Sequence, residues 1–281
     1  MPTVVVIYKF LPVFSNLLSQ GGYLFDMKRI LNVLPSRGTE HDWGLATAES
    51  AGLVSTSEEV PPAMDLRRKW WKVQNQHKTG ACSGFAVAYG LLWWHWVEHL
   101  GKPTKEKPSA RFAWMASKET DAWTRFPSSM IEGSGTYIKD ILRVCHKYGV
   151  LTDKRLPMRT PTTSVPEEVL YAEAAKNRIV SYHKLGSLNE TRTWIANQGP
   201  VICQLSPDRQ FMQANRRTKI LDKYSKSSAK WGGHAIVLCG YGPGFFLIRN
   251  SWGYWWGYQG TQIISEDYAQ EAIQETYGIT V

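Results

Sequence analysis

Four cysteines in 281 residues are too few and too scattered for a disulfide scaffold. Three of them read as core: Cys145 shares an apolar face with Ile138, Ile141, Leu142 and Tyr148, and Cys203 and Cys239 lie inside apolar strand runs. Long hydrophobic runs are also scarce. The stretch VVVIYKFLPVF near the N-terminus is interrupted by Lys9 and Pro12 and has no basic residues before it. It is too short for a membrane span and a poor match to a secretory signal. The expected location is therefore the cytoplasm, or one reached by a non-standard export route. Charge of one sign is not concentrated either. A net charge of +9 is mild for this length and means a solvated surface. No nucleic-acid motif accompanies it, so no nucleic-acid partner is expected.

What the chain does have is apolar and aromatic mass. With 43% hydrophobic residues, thirteen Trp and thirteen Tyr, it can bury a sizeable core as one domain or two close lobes. The stretch Gln76 to Glu98, QHKTGACSGFAVAYGLLWWHWVE, runs from a Gly-Ala-Cys-Ser-Gly turn into an apolar segment of helix length. Cys82 then stands at the first turn of a buried helix. Unpaired N–H groups and the helix dipole favour its thiolate there. The alternative for Cys82 is a small buried hydrophobe. Gln76 lies on the loop leading in, where its amide can donate a hydrogen bond beside the sulfur.

A cysteine nucleophile needs a histidine to take its proton, and that histidine needs an orienting partner. Of seven histidines, only His234 opens a clear strand, HAIVLCGYG, after Gly232-Gly233. A second strand, FFLIRN, ends at Asn250 in NSWGYWWGYQG. Two adjacent antiparallel strands bring His234 and Asn250 together. A rival chemistry is spelled by His95-Trp96-Val97-Glu98-His99, the H-x-x-E-H arrangement of inverted zinc peptidases. No sequence context supplies its third ligand, so no metal is assigned.

These residues resemble those of papain-like cysteine peptidases. Gln76 and Cys82 match the family's nucleophile segment, GGHAIVLCGYG its His strand, and Asn250-Ser251-Trp252-Gly253 with Trp256, Gly257 and Gly260 its Asn motif. Pro62-Ala63-Met64-Asp65-Leu66-Arg67 resembles the start of the mature domain, and the similarity covers roughly residues 60–265. The departures are Ser83 and Gly84, where the family usually has Trp after the nucleophile, and Thr79 and Gly133, where it has a disulfide pair. Bacterial and archaeal members with few disulfides are the nearest branch. The resemblance implies an α+β fold with a helical lobe at about 66–165, a β-rich lobe at about 166–281 and the cleft between them. It implies a catalytic set of Gln76, Cys82, His234 and Asn250, with Trp252 shielding the His–Asn hydrogen bond. Ser134, Gly135, Thr136 and Gly233 would contact the main chain of a protein or peptide substrate. No cofactor is implied. A thiol deamidase or transferase, or a binding module that keeps the fold, are the alternatives.

Residues 1–60 are expected to form a leader, and Met27-Lys28-Arg29 reads as a second possible start. Its polar part, 35–61, is either a flexible segment or, by resemblance, a pro-segment lying across the cleft. Helices are expected from Cys82 to about Leu100, over 110–123, over 137–148 and near 166–177. A capping box at Ser187-Leu188-Asn189-Glu190 starts another. Strands are expected at IVSYHKL, PVICQL, HAIVLCGY, FFLIRN and GTQII. The basic stretch 206–231 reads as an insertion on the cleft rim with a solvated face. Gln204 is a candidate for lining a side-chain pocket.

Overall fold

A computed structural model of the chain describes residues 29–56, 59–119, 135–159 and 166–281. Gly133, Ser134, the apolar N-terminal stretch and residues 120–123 of an expected helix lie outside the described residues.

The first elements are α1 (Leu45–Ser50) and β1 (Met64–Asp65). The nucleophile segment then forms one continuous helix, as its all-round apolar pattern demands. It starts as α2 (Cys82–Phe85), passes through a π-helical stretch (Ala86–Leu92) and resumes as α3 (Trp93–Glu98). The helix closes at Gly101 with φ of 63°, and the Lys102 N–H reaches back to the Trp96 carbonyl at 2.8 Å. Next come α4 (Ala110–Glu119), α5 (Ile138–Lys147) and α6 (Glu167–Ala174). Of the two departures at the nucleophile, Gly84 has a packing reason; Ser83 is buried and its hydroxyl has no hydrogen-bond partner among the described residues. A Cβ on Gly84 would stand 2.8 Å from the Trp114 Cβ of α4, so the two helices meet too closely for a side chain.

The rest of the chain is mostly sheet: β2 (Ser181–Lys184), α7 (Leu188–Asn197), β3 (Val201–Leu205), α8 (Arg209–Gln213), β4 (His234–Gly242), β5 (Phe245–Arg249), β6 (Thr261–Ser265), α9 (Glu266–Ala272) and β7 (Ile273–Thr280). The strands pair antiparallel in the order β2-β7-β3-β4-β5-β6, with β1 added against β4. The fold is α+β. Ser187 caps α7 as expected, accepting from the Glu190 N–H at 3.1 Å. The terminal strand β7, which the sequence did not announce, fills the place between β2 and β3. No helix among the described residues is long and apolar enough to cross a membrane.

Candidate active site

Helix α2 carries Cys82 to the face of β4. The amide N–H groups of Ala235, Ser83 and Cys82 itself face its sulfur. His234 is the neighbour of Ala235 at the start of β4. Its Nε2 lies 2.7 Å from Asn250 Oδ1, just past the end of the paired strand β5. That oxygen also accepts the Ser251 N–H at 2.7 Å, which fixes the amide orientation. Nε2 therefore carries the proton and Nδ1 keeps its lone pair. Nδ1 is buried and has no hydrogen-bond partner.

The loop bearing Gln76 is laced to the Asn motif. Gln76 N–H donates to the Ser251 carbonyl (2.8 Å), Gly253 N–H to the Gln74 carbonyl (3.1 Å), and Asn75 bridges Trp252. Arg249, buried on β5, donates to the carbonyls of Trp71 (2.9 Å) and Lys72 (2.8 Å) behind the same loop. The Gln76 amide is oriented from both ends. Its Oε1 accepts the Ser251 hydroxyl at 2.5 Å, and its Nε2 donates to the Thr79 carbonyl at 3.0 Å, which leaves one N–H available. Ser251 thus positions both Gln76 and Asn250. Nothing in the sequence marked it beyond its place in the motif.

Aromatic rings cover the pair. Trp252 lies 4.8 Å from the His234 ring at an interplanar angle of 32°. Phe211 packs edge-on against both His234 (5.9 Å) and Trp252 (5.3 Å). Phe211 comes from α8 within the stretch expected to be a solvated insertion. That stretch is anchored: Asp208 caps α8 by accepting from the Phe211 N–H at 2.9 Å, and Leu221 is fully buried against β6.

Residues 29–33 lie over this site. Arg29 stacks on Trp252 at 5.2 Å and donates to the His77 carbonyl at 3.2 Å. Val33 N–H donates to the Gly233 carbonyl at 3.1 Å. A Cβ on Gly233 would meet the Val33 carbonyl oxygen at 2.0 Å, and one on Gly135 would meet Asn32 Oδ1 at 2.4 Å. Farther on, Trp43 accepts from the Lys184 N–H at 2.8 Å, which docks α1 beside β2.

Cys82 and His234 are both fully buried under this cover. Burial pushes the Cys82 thiol up to about 11 against the pull of the three amides. Burial likewise lowers His234 to about 4; the Asn250 hydrogen bond opposes this and the Arg29 charge adds to it. Both shifts run toward the uncharged thiol and imidazole and away from the thiolate expected at a helix start. The dipole contributes only about 0.3–1 kcal/mol at such a position, and desolvation of the charged forms outweighs it.

Of the residues nominated for substrate contact, Gly135 and Gly233 touch the leader, Trp252 stacks on His234, Thr136 is buried, and Ser134 lies outside the described residues. The H-x-x-E-H residues act locally. His95 and His99 face each other through their Nδ1 atoms at 3.2 Å, Glu98 turns to Arg68 at 3.4 Å, and among the described residues no third His, Cys, Asp or Glu joins them.

This architecture is shared with solved proteases. The structure superposes on xylellain, a cysteine protease from Xylella fastidiosa, with a TM-score of 0.74 at 20% identity, covering 95% of this chain and 99% of that one. It also superposes on procathepsin B S9 from Trypanosoma congolense (TM-score 0.67, 15% identity, 90% of this chain and 87% of that one). In sequence, 199 residues are 23% identical to a peptidase C1-like protein of Acanthamoeba polyphaga mimivirus, covering 66% of this chain and 61% of that protein's length. The model of the papain family cysteine proteases matches residues 124–280, more than half of the chain. The matched span contains His234 and Asn250 and begins after Cys82, which the fold brings to them. The chain belongs to the papain family of cysteine proteases.

Proposed function

We propose that the chain is a cysteine peptidase whose own leader keeps it closed, with residues 1–60 as the leader and 61–281 as the peptidase. The observation that carries this reading is the Cys82 sulfur against the Ala235 amide, beside a His234 whose tautomer Asn250 fixes and whose Nδ1 is open. Once the leader leaves, water reaches the pair and the thiol proton passes to His234 Nδ1. The Cys82 thiolate attacks a peptide carbonyl carbon. The oxyanion is held by the Cys82 N–H and the remaining Gln76 Nε2 hydrogen, and such a donor is worth roughly 10²–10³ in rate. His234 gives its proton to the departing amine, then draws one from a water that hydrolyses the thioester. The substrate is a protein or peptide, and no step calls for a cofactor. A groove of about 610 Å³ beside Gln76, lined by Asn75, His77, Thr79, Tyr89 and Arg159 among others, offers room on one side of the scissile bond.

The test is hydrolysis of a mixed fluorogenic peptide library by the full chain before and after limited proteolysis of the leader. Cleavage that rises when the leader is cut and is lost in Cys82→Ser supports the reading. Labelling of Cys82 without any hydrolysis, before or after the cut, would contradict it.

A further inference from the structure

The turn between β5 and β6 shows rings that the steps above do not use. Trp252 and Trp256 of the Asn motif are buried, but the positions between and after them are Tyr254, Trp255 and Tyr258, which are 49%, 62% and 41% exposed. Tyr254 and Trp255 touch, with ring centroids 5.2 Å apart and planes at 86°. The backbone that displays them is braced. Gly257 N–H donates to the Ala214 carbonyl at 3.2 Å and Gly260 N–H to the Trp256 carbonyl at 2.8 Å. Trp256 Nε1 donates to the Phe211 carbonyl at 3.0 Å, and the Thr261 hydroxyl to the Tyr258 carbonyl at 2.8 Å. The rings are therefore held out on a fixed turn, where a solvated surface would carry polar residues.

Two neighbouring loops surround this turn with positive charge. The loop 215–220 carries Arg216, Arg217 and Lys219, all exposed, and Ile220 at 40% exposure. It is tied to β6: Gln262 Nε2 donates to the Thr218 carbonyl at 2.8 Å, and Leu221 N–H to the Ile263 carbonyl at 2.9 Å. The Arg216 guanidinium lies over the Trp255 ring at 5.6 Å, which joins the loop to the aromatic tip. On another side, Val73 packs so closely on Gly260 that a Cβ there would meet it at 2.5 Å, and exposed Lys72 precedes it. The three segments 72–74, 215–220 and 254–259 hold these four cations and no Asp or Glu.

Trp and Tyr rings, with one apolar end and one polar end, suit the boundary between lipid headgroups and acyl chains, and Lys and Arg beside them suit anionic headgroups. A single-stranded nucleic acid would need ring faces open for stacking. Here the two leading rings stand nearly perpendicular, and Arg216 lies over one face of Trp255. We propose that the turn 254–259 and its flanking loops seat the protein on the surface of an anionic lipid bilayer. Tyr254 and Trp255 enter the headgroup layer, while Lys72, Arg216, Arg217 and Lys219 meet the lipid phosphates and carboxylates. The contact is peripheral, and it holds whether or not the chain cleaves peptides.

The test is co-sedimentation of the full chain with vesicles of phosphatidylcholine, alone or mixed with about one third phosphatidylserine. Partitioning onto the mixed vesicles is expected to exceed that onto phosphatidylcholine by roughly tenfold or more, and to fall as salt is raised. Tyr254→Ala with Trp255→Ala should lower it by roughly tenfold while keeping the salt dependence, because the rings act through apolar contact. Arg216→Glu with Arg217→Glu should lower it at least as much and flatten the salt dependence. A basic protein adsorbs to anionic surfaces through net charge alone, so Lys147→Glu with Arg178→Glu serves as the control. These residues line a hollow with Tyr182 of β2, at the opposite edge of the sheet, and their reversal should change partitioning by less than about threefold. All of the substituted side chains are exposed, so the variants should melt with the parent. Failure of the parent chain to bind mixed vesicles overturns the proposal, as does an equal effect of the control pair or no effect of removing the rings. Binding of polyglutamate or a single-stranded oligonucleotide through the same residues, without vesicle binding, assigns the patch to that partner and overturns it too.

Discussion

The Val33 N–H donates to the Gly233 carbonyl across 3.1 Å, one residue before the candidate base His234. Backbone here meets backbone, with a glycine where any Cβ would collide with the leader. Main-chain pairing of this kind takes little account of side chains, so on the proposed function the leader and a substrate would compete for the same strip of cleft. Their competition is what the predictions below measure.

Val33 is fully buried. Replacing it by Asp places an unpaired carboxylate in that position, which costs several kcal/mol. The expected outcome in the full chain is faster tryptic cutting of the leader at Arg29 and Arg37, and iodoacetamide labelling of Cys82 at pH 8 raised by at least about tenfold, since every 1.4 kcal/mol is a factor of ten in the open population. Unchanged cutting and labelling would place the inhibitory contact elsewhere.

Ser251→Ala removes the 2.5 Å hydrogen bond to Gln76 Oε1 and leaves that amide free to turn over. The expected loss in kcat/KM is about tenfold. That is smaller than for Gln76→Ala, which removes the donor itself and should cost roughly 10²–10³. The loss should fall on kcat more than on KM, because the oxyanion exists only after attack. Equal losses in the two variants would mean that Ser251 supports the loop as a whole.

Leader docking should depend on pH through Glu275. Burial raises its carboxyl to about 7 in the docked state, with the Ser36 hydrogen bonds acting in the opposite sense. Undocked, it should fall toward the ordinary value near about 4.3. The docked state therefore holds the extra proton. Its contribution is fully present below the undocked value and is lost as pH rises through about 7. Lys184 and Asp42 face the same group with opposite charge, and Cys203 and Tyr277 lie near it. Tryptic cutting of the leader, taken as the ratio to the Glu275→Gln variant at each pH, should rise from pH 5 to pH 8. A flat ratio would remove Glu275 from the docking linkage.

How far the sequence could be read follows from where its constraints are local. The Asn motif was legible because its turns need glycines with positive φ, such as Gly253 at 77° and Gly260 at 83°, at fixed places around fixed tryptophans. Helix α2 was legible because Cys82 leads straight into an all-apolar run. Strand β7 was not, since Gln274, Glu275 and Thr276 look like a solvated end although the last two are buried. The Ser36–Glu275 contact joins residues 239 positions apart, beyond any local pattern. Phe211 was hidden by the basic residues that follow it. The cover over His234 was not legible for the same non-local reason: Arg29 and Val33, which lie against Trp252 and Gly233, come from another part of the chain.

The central claim is that Cys82 and His234 form a working pair once the leader is displaced. Its most direct test is the pH profile of Cys82 labelling, from about pH 4 to 9, in the full chain carrying Val33→Asp, with and without His234→Ala. The account predicts rapid labelling below pH 7 that disappears with His234→Ala. The native-leader chain should label slowly throughout, as a thiol pushed up to about 11 must. An ordinary thiol profile in the opened chain, indifferent to His234, would contradict the account.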